Sequence, residues 1–430
     1  MQKTYPLIDE RIYSETLPNG LSVFFVPKPG FSKKYAFFAT DYGGVDRRFK
    51  LSGNWIDTPE GVAHFLEHEM FDMEYGDALS KLSSKGANPN AYTSSDVTAY
   101  HFECIDDFSD NLSTLLEFVS TPFFSPESVI KEQGIIGQEI LMCEDDPDYC
   151  LYYNLMKSLF SHNPIRDSVA GTVESISNIT PDTLLSCHKV FYNPSNMALC
   201  VSGNVEFSEI LDIAQSILPK EPGENPGRDY GPEEGLSPKT PRISASMEVS
   251  QPIFLAGCKS APHPRGREGL RMELISALAL DILAGHSSPL YIGLYGEGLV
   301  CGDFSASFDS AAGTAYSMFG GESNDPERVY DELRQEITKL SKEGPDAGHF
   351  ERIKKSAIGS QIRSLNSLES ICVSIACGSF RGYDAFEAAE LLASVTIDDI
   401  TAFYRECLIP DNMAISIITP HVAGHAGAPF

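Results

Sequence analysis

The segment HFLEH, residues 64–68, places two imidazoles and a carboxylate at helical spacing. His64 and His68 are four residues apart, so on an α-helix their side chains lie on one face, with Glu67 beside them. Two imidazoles on one face of a helix can bind a zinc ion, and a neighbouring glutamate that is not a ligand can act as a general base. The segment therefore predicts a metal site with its own base.

The residues just before this segment predict the start of that helix. Thr58 can be the N-cap, Pro59 suits the first helical position, and Glu60 would favour the positive end of the helix dipole. The alternative interpretation is a pair of histidines satisfied at the edge of a core helix, without metal. A third ligand elsewhere in the chain would favour the metal interpretation.

A second helix offers candidates for that ligand. In the segment SPESVIKEQGIIGQEILM, Ser125 can cap a helix that opens at Pro126. Glu132 and Glu139 are seven residues apart, which is almost two helical turns, so both carboxylates face one way. One could ligate a metal ion while the other orients its surroundings; two glutamates on a solvated face remain the alternative.

Together these segments resemble the inverted-motif zinc peptidases of the pitrilysin, insulinase and mitochondrial processing peptidase family. The resemblance lies in HFLEH followed, well downstream of His68, by Glu139, with Glu132 seven positions before that glutamate. The stretch GANPNAYTSSDVTAYHF, residues 86–102, resembles the family's substrate-pairing strand, with Asn90 and Ala91 at the matching positions. Within the family, the chain is most similar to bacterial cytoplasmic members of about this length.

The resemblance implies a role for each of these residues. Zinc would be bound by His64, His68 and Glu139, and Glu132 would tune the ligands from outside the metal shell. Glu67 would take a proton from water and pass it to the leaving amine. Asn90 and Ala91, which are named here as substrate-binding residues, would align an extended peptide as an added strand. The implied reaction is hydrolysis of peptide bonds.

An internal repeat divides the chain into two halves. The segment ITPDTLLSCHKVFYNPSNMAL from Ile179 aligns without gaps on VTIDDITAFYRECLIPDNMAI from Val395, so the offset between the copies is close to half of the chain. We predict a zinc-peptidase-like domain over residues 1–217, an exposed Pro/Gly-rich linker over 218–241, a homologous domain without the metal motif over 242–420, and a flexible tail over 421–430.

Strands with alternating apolar residues are interleaved with amphipathic helices in both halves, so the predicted fold class is α+β. The family resemblance implies two homologous domains of sheet layered with helices, which face each other as a clamshell around a chamber.

The second half lacks the metal chemistry. Aligning IIGQEI with AIGSQI places Gln361 opposite Glu139 and Lys354 opposite Glu132. The remaining histidine pair at four-residue spacing, His421 and His425, has no glutamate between its members and is expected to be a frayed tail.

A departure from the family concerns the oxyanion. Family members present an arginine and a tyrosine from the second domain, whereas this chain has LYGEGLVCG, with Glu297 and Cys301 near those positions. A carboxylate cannot stabilise an oxyanion. Either the chain is a poor enzyme alone, or a homologous partner subunit, in a heterodimer, or a second copy of the chain supplies these groups. A non-catalytic scaffold subunit is the rival prediction, and zinc-dependent modification of a protein substrate is a third.

Charge, cysteine content and the expected lack of long apolar segments indicate which classes of partner and which cellular compartment to expect. With 32 basic and 60 acidic residues the net charge is −28, which disfavours nucleic acid and anionic membranes. Ten cysteines without CxxC pairs favour a reducing compartment. The N-terminal segment lacks the apolar core of a signal peptide, and no apolar run is expected to reach the length of a membrane span. A cytoplasmic protein is predicted.

Overall fold

The computed structural model of the chain describes residues 1–74 and 76–421. The strands are β1 Gln2–Tyr5, β2 Glu10–Thr16, β3 Ser22–Pro27, β4 Lys34–Thr40, β5 Arg48–Leu51, β6 Asn54–Asp57, β7 Asp72–Met73, β8 Gly76–Asp77, β9 Asn88–Thr93, β10 Thr98–Cys104, β11 Met197–Gly203, β12 Arg242–Met247, β13 Ile253–Ser260, β14 Ser305–Ala311, β15 Thr314–Glu322 and β16 Met413–Pro420.

Runs of helices separate groups of strands in both halves of the chain. The helices are α1 Val62–Glu69, α2 Ala78–Ser83, α3 Phe108–Ser120, α4 Pro126–Glu144, α5 Pro147–Leu159, α6 Val173–Ile176, α7 Pro181–Phe191, α8 Phe207–Ile217, α9 Gly266–Ala284, α10 Pro289–Gly296, α11 Pro326–Glu343, α12 Ala347–Ser364, α13 Leu368–Arg381, α14 Ala388–Ser394 and α15 Ile397–Glu406. The α+β class predicted from the sequence is confirmed.

Each half is built on one large sheet, and the two sheets share a five-strand plan. The first sheet has the order β1-β2-β3-β11-β4-β10-β9, and the second has β12-β16-β13-β15-β14. In both, one neighbouring pair is parallel, β3 with β11 and β12 with β16, and the other pairs are antiparallel. The last five strands of the first sheet therefore match the second sheet in order and direction.

The predicted repeat coincides with equivalent elements. Helices α7 and α15 begin at Pro181 and Ile397, and strands β11 and β16 begin at Met197 and Met413. Both pairs are separated by the same offset as the sequence repeat. The predicted domain boundaries are compatible with these elements, and their exact positions stay a prediction.

The two halves exchange one helix each. Helix α13 of the second half packs on strands β4 and β11 of the first sheet, where Ile371, Cys372 and Ala376 are buried against that sheet. Helix α5 of the first half packs on β13 and β16 of the second sheet. Gly257 of β13 permits this approach, because a Cβ there would lie 2.7 Å from Leu159. Each sheet is therefore buried on both faces.

The segment 218–241 is less exposed than the sequence predicts. Most of its side chains are exposed, but the Arg228 side chain is only 18% exposed and pairs with Asp41 at 3.1 Å and Asp46 at 2.9 Å. The Glu234 carboxylate accepts hydrogen bonds from three consecutive backbone N–H groups just after α5. The expectation of an exposed linker is wrong at these two positions. The ion pairs of Arg228 and the hydrogen bonds of Glu234 hold the segment against the rest of the protein.

By length and composition, the helical stretch 266–296, which contains α9 and α10, could cross a membrane. The expectation that no apolar run reaches that length is therefore wrong. Most of its apolar window is buried, and its side chains form part of the core beneath the second sheet. Burial indicates a core helix.

We predict that the exchanged helix α5 is needed for stability. Leu159→Ala should lower the free energy of unfolding by roughly 2–5 kcal/mol, because a fully buried leucine is replaced by a cavity. The matched control is Leu185→Ala on α7, where the leucine is 43% exposed. Urea unfolding of both variants measures the difference. Equal midpoints would contradict the packing of α5 between the halves.

Candidate metal centre

Helix α1 carries the two histidines and begins later than predicted. Its N-cap is Gly61, in the left-handed conformation with φ of 90°, and no side chain caps it. Residue 61 lies against Ala170, whose carbonyl oxygen would be 2.5 Å from a Cβ at this position. The predicted roles of Thr58, Pro59 and Glu60 in the helix start are therefore wrong. Only a glycine fits this turn without strain.

Helix α4 carries both predicted glutamates, and its start agrees with the prediction. Ser125 accepts a hydrogen bond from the backbone of Ser128, and the helix opens at Pro126. The helix continues through two glycines to Glu144, so that Glu132 and Glu139 lie on its face toward α1.

The structure brings His64, His68 and Glu139 together. The His64 Nε2 atom lies 3.5 Å from one Glu139 oxygen, and the His68 Nε2 atom lies 3.6 Å from the other. The two imidazole centroids are 4.6 Å apart. Three potential ligand atoms therefore surround one point between α1 and α4.

Glu132 fixes the orientation of one imidazole. Its Oε1 atom lies 2.8 Å from Nδ1 of His68. Because that contact occupies Nδ1, the Nε2 nitrogen is the one that faces Glu139. Burial lowers and the hydrogen bond with Glu132 raises the pKa of His68, with a net upward shift. The structure thus places Glu132 beside a ligand rather than in the ligand group, as predicted.

The pKa of the Glu139 carboxyl is lowered from its usual value. The hydrogen bond with His64 is the largest cause, and it outweighs burial, which acts in the opposite direction. The carboxylate is therefore held in the anionic form that a metal ligand needs. The other nitrogen of His64, Nδ1, is buried without a hydrogen-bond partner among the described residues.

These positions fit a zinc ion. A tetrahedral zinc site with Zn–N and Zn–O bonds of about 2.0–2.2 Å requires ligand atoms roughly 3.4 Å apart, close to the two separations measured here. Two imidazoles and one carboxylate are also a donor set that catalytic zinc uses, with a fourth position left open. His64, His68 and Glu139 could therefore hold zinc with little rearrangement.

Glu67 lies on the same helix and is nearly buried, at 8% exposure. Its Oε2 atom accepts a hydrogen bond of 2.6 Å from the hydroxyl of Thr93, at the end of β9. Sequence reasoning missed Thr93. Its only signal was the two-residue period of a strand, which places it on the same face as Ala91.

A second missed residue joins the two helices. Glu69 is 2% exposed and accepts a hydrogen bond of 2.9 Å from the hydroxyl of Ser128 on α4. Burial raises the pKa of Glu69 to about 7. The contact links the first turn of α4 to the end of α1.

Asn90 and Ala91 lie in β9, one of the two edge strands of the first sheet. The N–H of Ala91 donates to the side-chain oxygen of Asn90 at 2.9 Å instead of to another strand. The free edge of β9 is therefore available to an added strand, which would have to replace this local bond.

The second half shows no equivalent group among the described residues. Lys354 donates to the carbonyl of Val395 at 2.7 Å, and Gln361 lies on the same helix, α12. Glu297 pairs with Arg328 on α11.

A different candidate metal group lies elsewhere in the described part of the second half. It is formed by Cys301, Asp303 and Glu322, and it is more exposed than the first group. The predicted pair His421 and His425 cannot be compared, since His425 lies outside the described residues.

Comparisons with known proteins agree with this geometry. Residues 52–173 match the insulinase family (peptidase family M16), and residues 178–357 match the M16 inactive domain. The chain is 35% identical to the uncharacterized zinc protease YmfH of Bacillus subtilis over 423 residues, 97% of this chain and 98% of that protein.

Solved structures show the same architecture. An M16-like peptidase from Alicyclobacillus acidocaldarius superposes with a TM-score of 0.92 and 33% identity, covering 96% of this chain and 98% of that one. Pitrilysin superposes with a TM-score of 0.77 at 16% identity, covering 97% of this chain and 46% of that one, which shows a shared fold. The predicted clamshell of two similar domains is confirmed, and the chain belongs to the M16 (insulinase) family of zinc peptidases.

Proposed function

We propose that this chain is a zinc-dependent endopeptidase that hydrolyses extended peptides or small proteins in the chamber between its halves. The observation that carries the proposal is the convergence of His64, His68 and Glu139, with Glu67 held beside them. A family member that had lost catalysis would have no need to keep both the ligands and the base. The names of its relatives as zinc proteases support the same reaction class.

The side chains of the first half would carry out the proton transfers. Glu67, which is not in the ligand group, would accept a proton from the attacking water and donate it to the nitrogen of the leaving amine. The bond between the carbonyl carbon and that nitrogen breaks as the proton arrives. Glu132 would keep His68 in the tautomer that presents Nε2.

A zinc ion at this site would supply Lewis-acid activation, which lowers the pKa of water to about 7 and polarises a carbonyl oxygen. Residues of the chain itself would position the peptide substrate. An extended substrate would pair with the free edge of β9 at Asn90 and Ala91, and backbone hydrogen bonds would align it largely independently of sequence.

A partner subunit forms part of the proposal. Glu297 and Cys301 stand where the family resemblance implies an arginine and a tyrosine, and Glu297 is already paired with Arg328. A homologous subunit would supply a cation and a hydroxyl to the oxyanion. The same observation favours the second candidate function, a weakly active or scaffold subunit.

We also propose a cytoplasmic location, which ten unpaired thiols favour.

We predict one zinc ion per chain at this site. His64→Ala, His68→Ala and Glu139→Gln should each strongly reduce bound zinc, because each removes a ligand. Matched controls are His162→Ala and Glu127→Gln, at exposed positions. Elemental analysis of the purified variants measures the metal content. Full zinc in all three ligand variants would refute the assignment.

We predict that Glu67→Gln separates metal binding from catalysis. The variant should keep its zinc, since the three ligands are unchanged, while peptide hydrolysis falls by about 10²- to 10⁴-fold with loss of the general base. A chelator-sensitive assay with a fluorogenic peptide library measures the rate. Hydrolysis at the wild-type rate would mean that another group is the base.

We predict that the isolated chain cleaves peptides slowly. A missing oxyanion donor costs roughly 10²- to 10³-fold in rate, so a homologous subunit that lacks HxxEH but carries the arginine and tyrosine should restore turnover on mixing. The control is the same subunit with its arginine replaced. Full activity of the isolated chain, with no gain on mixing, would refute the need for a partner.

A further inference from the structure

We infer that Thr93 is a positioning residue for the general base: its hydroxyl holds the Glu67 carboxylate in the orientation that proton transfer requires. This inference rests on the proposed peptidase function. It adds to that function a residue outside the HxxEH motif, on the strand whose free edge is proposed to align the substrate.

The direction of the hydrogen bond follows from the chemistry of the two groups. An ionised carboxylate can only accept, so the single proton of the Thr93 hydroxyl is donated to Glu67. The distance between Thr93 Oγ1 and Glu67 Oε2 is 2.6 Å, within the short range of about 2.5–2.7 Å for a hydroxyl bound to an anion. The contact is therefore a charge-assisted bond of the stronger kind.

The Thr93 hydroxyl is much closer to Glu67 than to its other polar neighbour, Thr98. Thr98, the cross-strand partner of Thr93, is fully buried, and its hydroxyl lies 2.9 Å from the carbonyl oxygen of Tyr42 but 3.4 Å from Thr93. The shorter contact takes the Thr98 proton. Thr93 lies 2.6 Å from Glu67 and 3.4 Å from Thr98, so its own proton is donated to the carboxylate.

The backbone around Thr93 is fixed by the turn that follows it. The Ser94 N–H donates to the carbonyl of Val97 at 2.8 Å, and the carbonyl of Ser94 accepts from the N–H of Gly44 at 3.0 Å. Gly43 lies so close to this turn that a Cβ there would be 2.5 Å from the N atom of Asp96. The hydroxyl of Thr93 is thus presented from a rigid support.

The position of Thr93 in β9 determines which side of the sheet its side chain faces. Alternate residues of a strand face opposite sides. Tyr92 faces α13 and packs beside Phe37 and His101, so its neighbour Thr93 faces α1. Asn90 and Ala91 lie three and two residues earlier in the same strand.

The bond has a mechanistic consequence. Thr93 uses one lone pair of the Glu67 Oε2 atom, so Oε1 keeps both of its lone pairs for the proton from water. Since Thr93 does not contact the ligand group, and the backbone edge at Asn90 and Ala91 is unchanged by its side chain, its loss should lower kcat and leave zinc content and KM nearly constant.

The test compares Thr93→Val, which keeps the branched shape but removes the hydroxyl, with Thr93→Ser, which keeps the hydroxyl. Thr16→Val, at an exposed position of β2 in the same sheet, is the matched control. In the zinc-loaded protein with its partner, Thr93→Val should reduce kcat about 10- to 100-fold, as loss of an orienting group does. Thr93→Ser should keep kcat close to the wild-type value, because it keeps the hydroxyl that Glu67 binds.

Wild-type kcat in Thr93→Val, while Glu67→Gln is inactive, would overturn the role of Thr93 and leave the proposed peptidase function intact. An equal loss in Thr93→Ser and Thr93→Val would overturn it as well, since the hydroxyl would not matter. Loss of zinc from Thr93→Val would show a structural role and overturn the inference.

A crystal structure of each variant decides the matter even if no peptide is cleaved. In Thr93→Val the Glu67 carboxylate should leave its position or occupy several rotamers, whereas in Thr93→Ser it should stay within hydrogen-bond distance of the serine hydroxyl. An unmoved Glu67 carboxylate in Thr93→Val would contradict the inference independently of any activity.

Discussion

The packing of α1 against α4 is the constraint on which the rest of the site depends. One helix supplies two imidazoles and the other supplies a carboxylate, so no metal-binding group exists until the helices meet. Two side-chain hydrogen bonds hold them in register, from Ser128 to Glu69 and between Glu132 and His68. Polar groups buried at such an interface stabilise it only when they are paired, which makes the register specific.

The second half packs on the sheet that carries this site, and its described residues hold no equivalent of the two-histidine, one-glutamate group. Its helix α13 covers the outer face of β4 and β11, and α5 of the first half covers the second sheet in return. A sheet with one large apolar face exposed would be unstable in water. The second copy therefore has a packing role that does not depend on the metal-binding residues, and Lys354 and Gln361 stand there at the positions aligned with the two glutamates.

The sequence predicts what is encoded by local spacing. Helical periodicity places His64 with His68 on one face of a helix and Glu132 with Glu139 on one face of another, and the repeat that aligns Ile179 with Val395 predicts two equivalent sheets. These interpretations needed no knowledge of tertiary contacts, beyond the family resemblance that paired the two helices.

The features that the sequence does not predict all arise from tertiary contacts. Helix α1 begins after Gly61, a left-handed residue packed against Ala170, although Thr58 and Pro59 offer a good local start. Thr93 meets Glu67 only when β9 lies beside α1. Arg228 looks like a solvated linker residue until Asp41 and Asp46 are placed next to it. Tertiary contacts override the local structural preference of a segment where the interaction partner of a residue comes from a distant part of the chain.

X-ray absorption spectroscopy at the zinc edge of the wild-type protein tests the central claim most directly. The account predicts a single zinc environment with nitrogen and oxygen ligands at about 2.0–2.2 Å, including two imidazoles, and no sulfur. The described residues hold one competing group, Cys301 with Asp303 and Glu322, which would add a sulfur at about 2.3 Å. A sulfur shell without imidazole scattering would place zinc at that group and contradict the assignment of His64, His68 and Glu139.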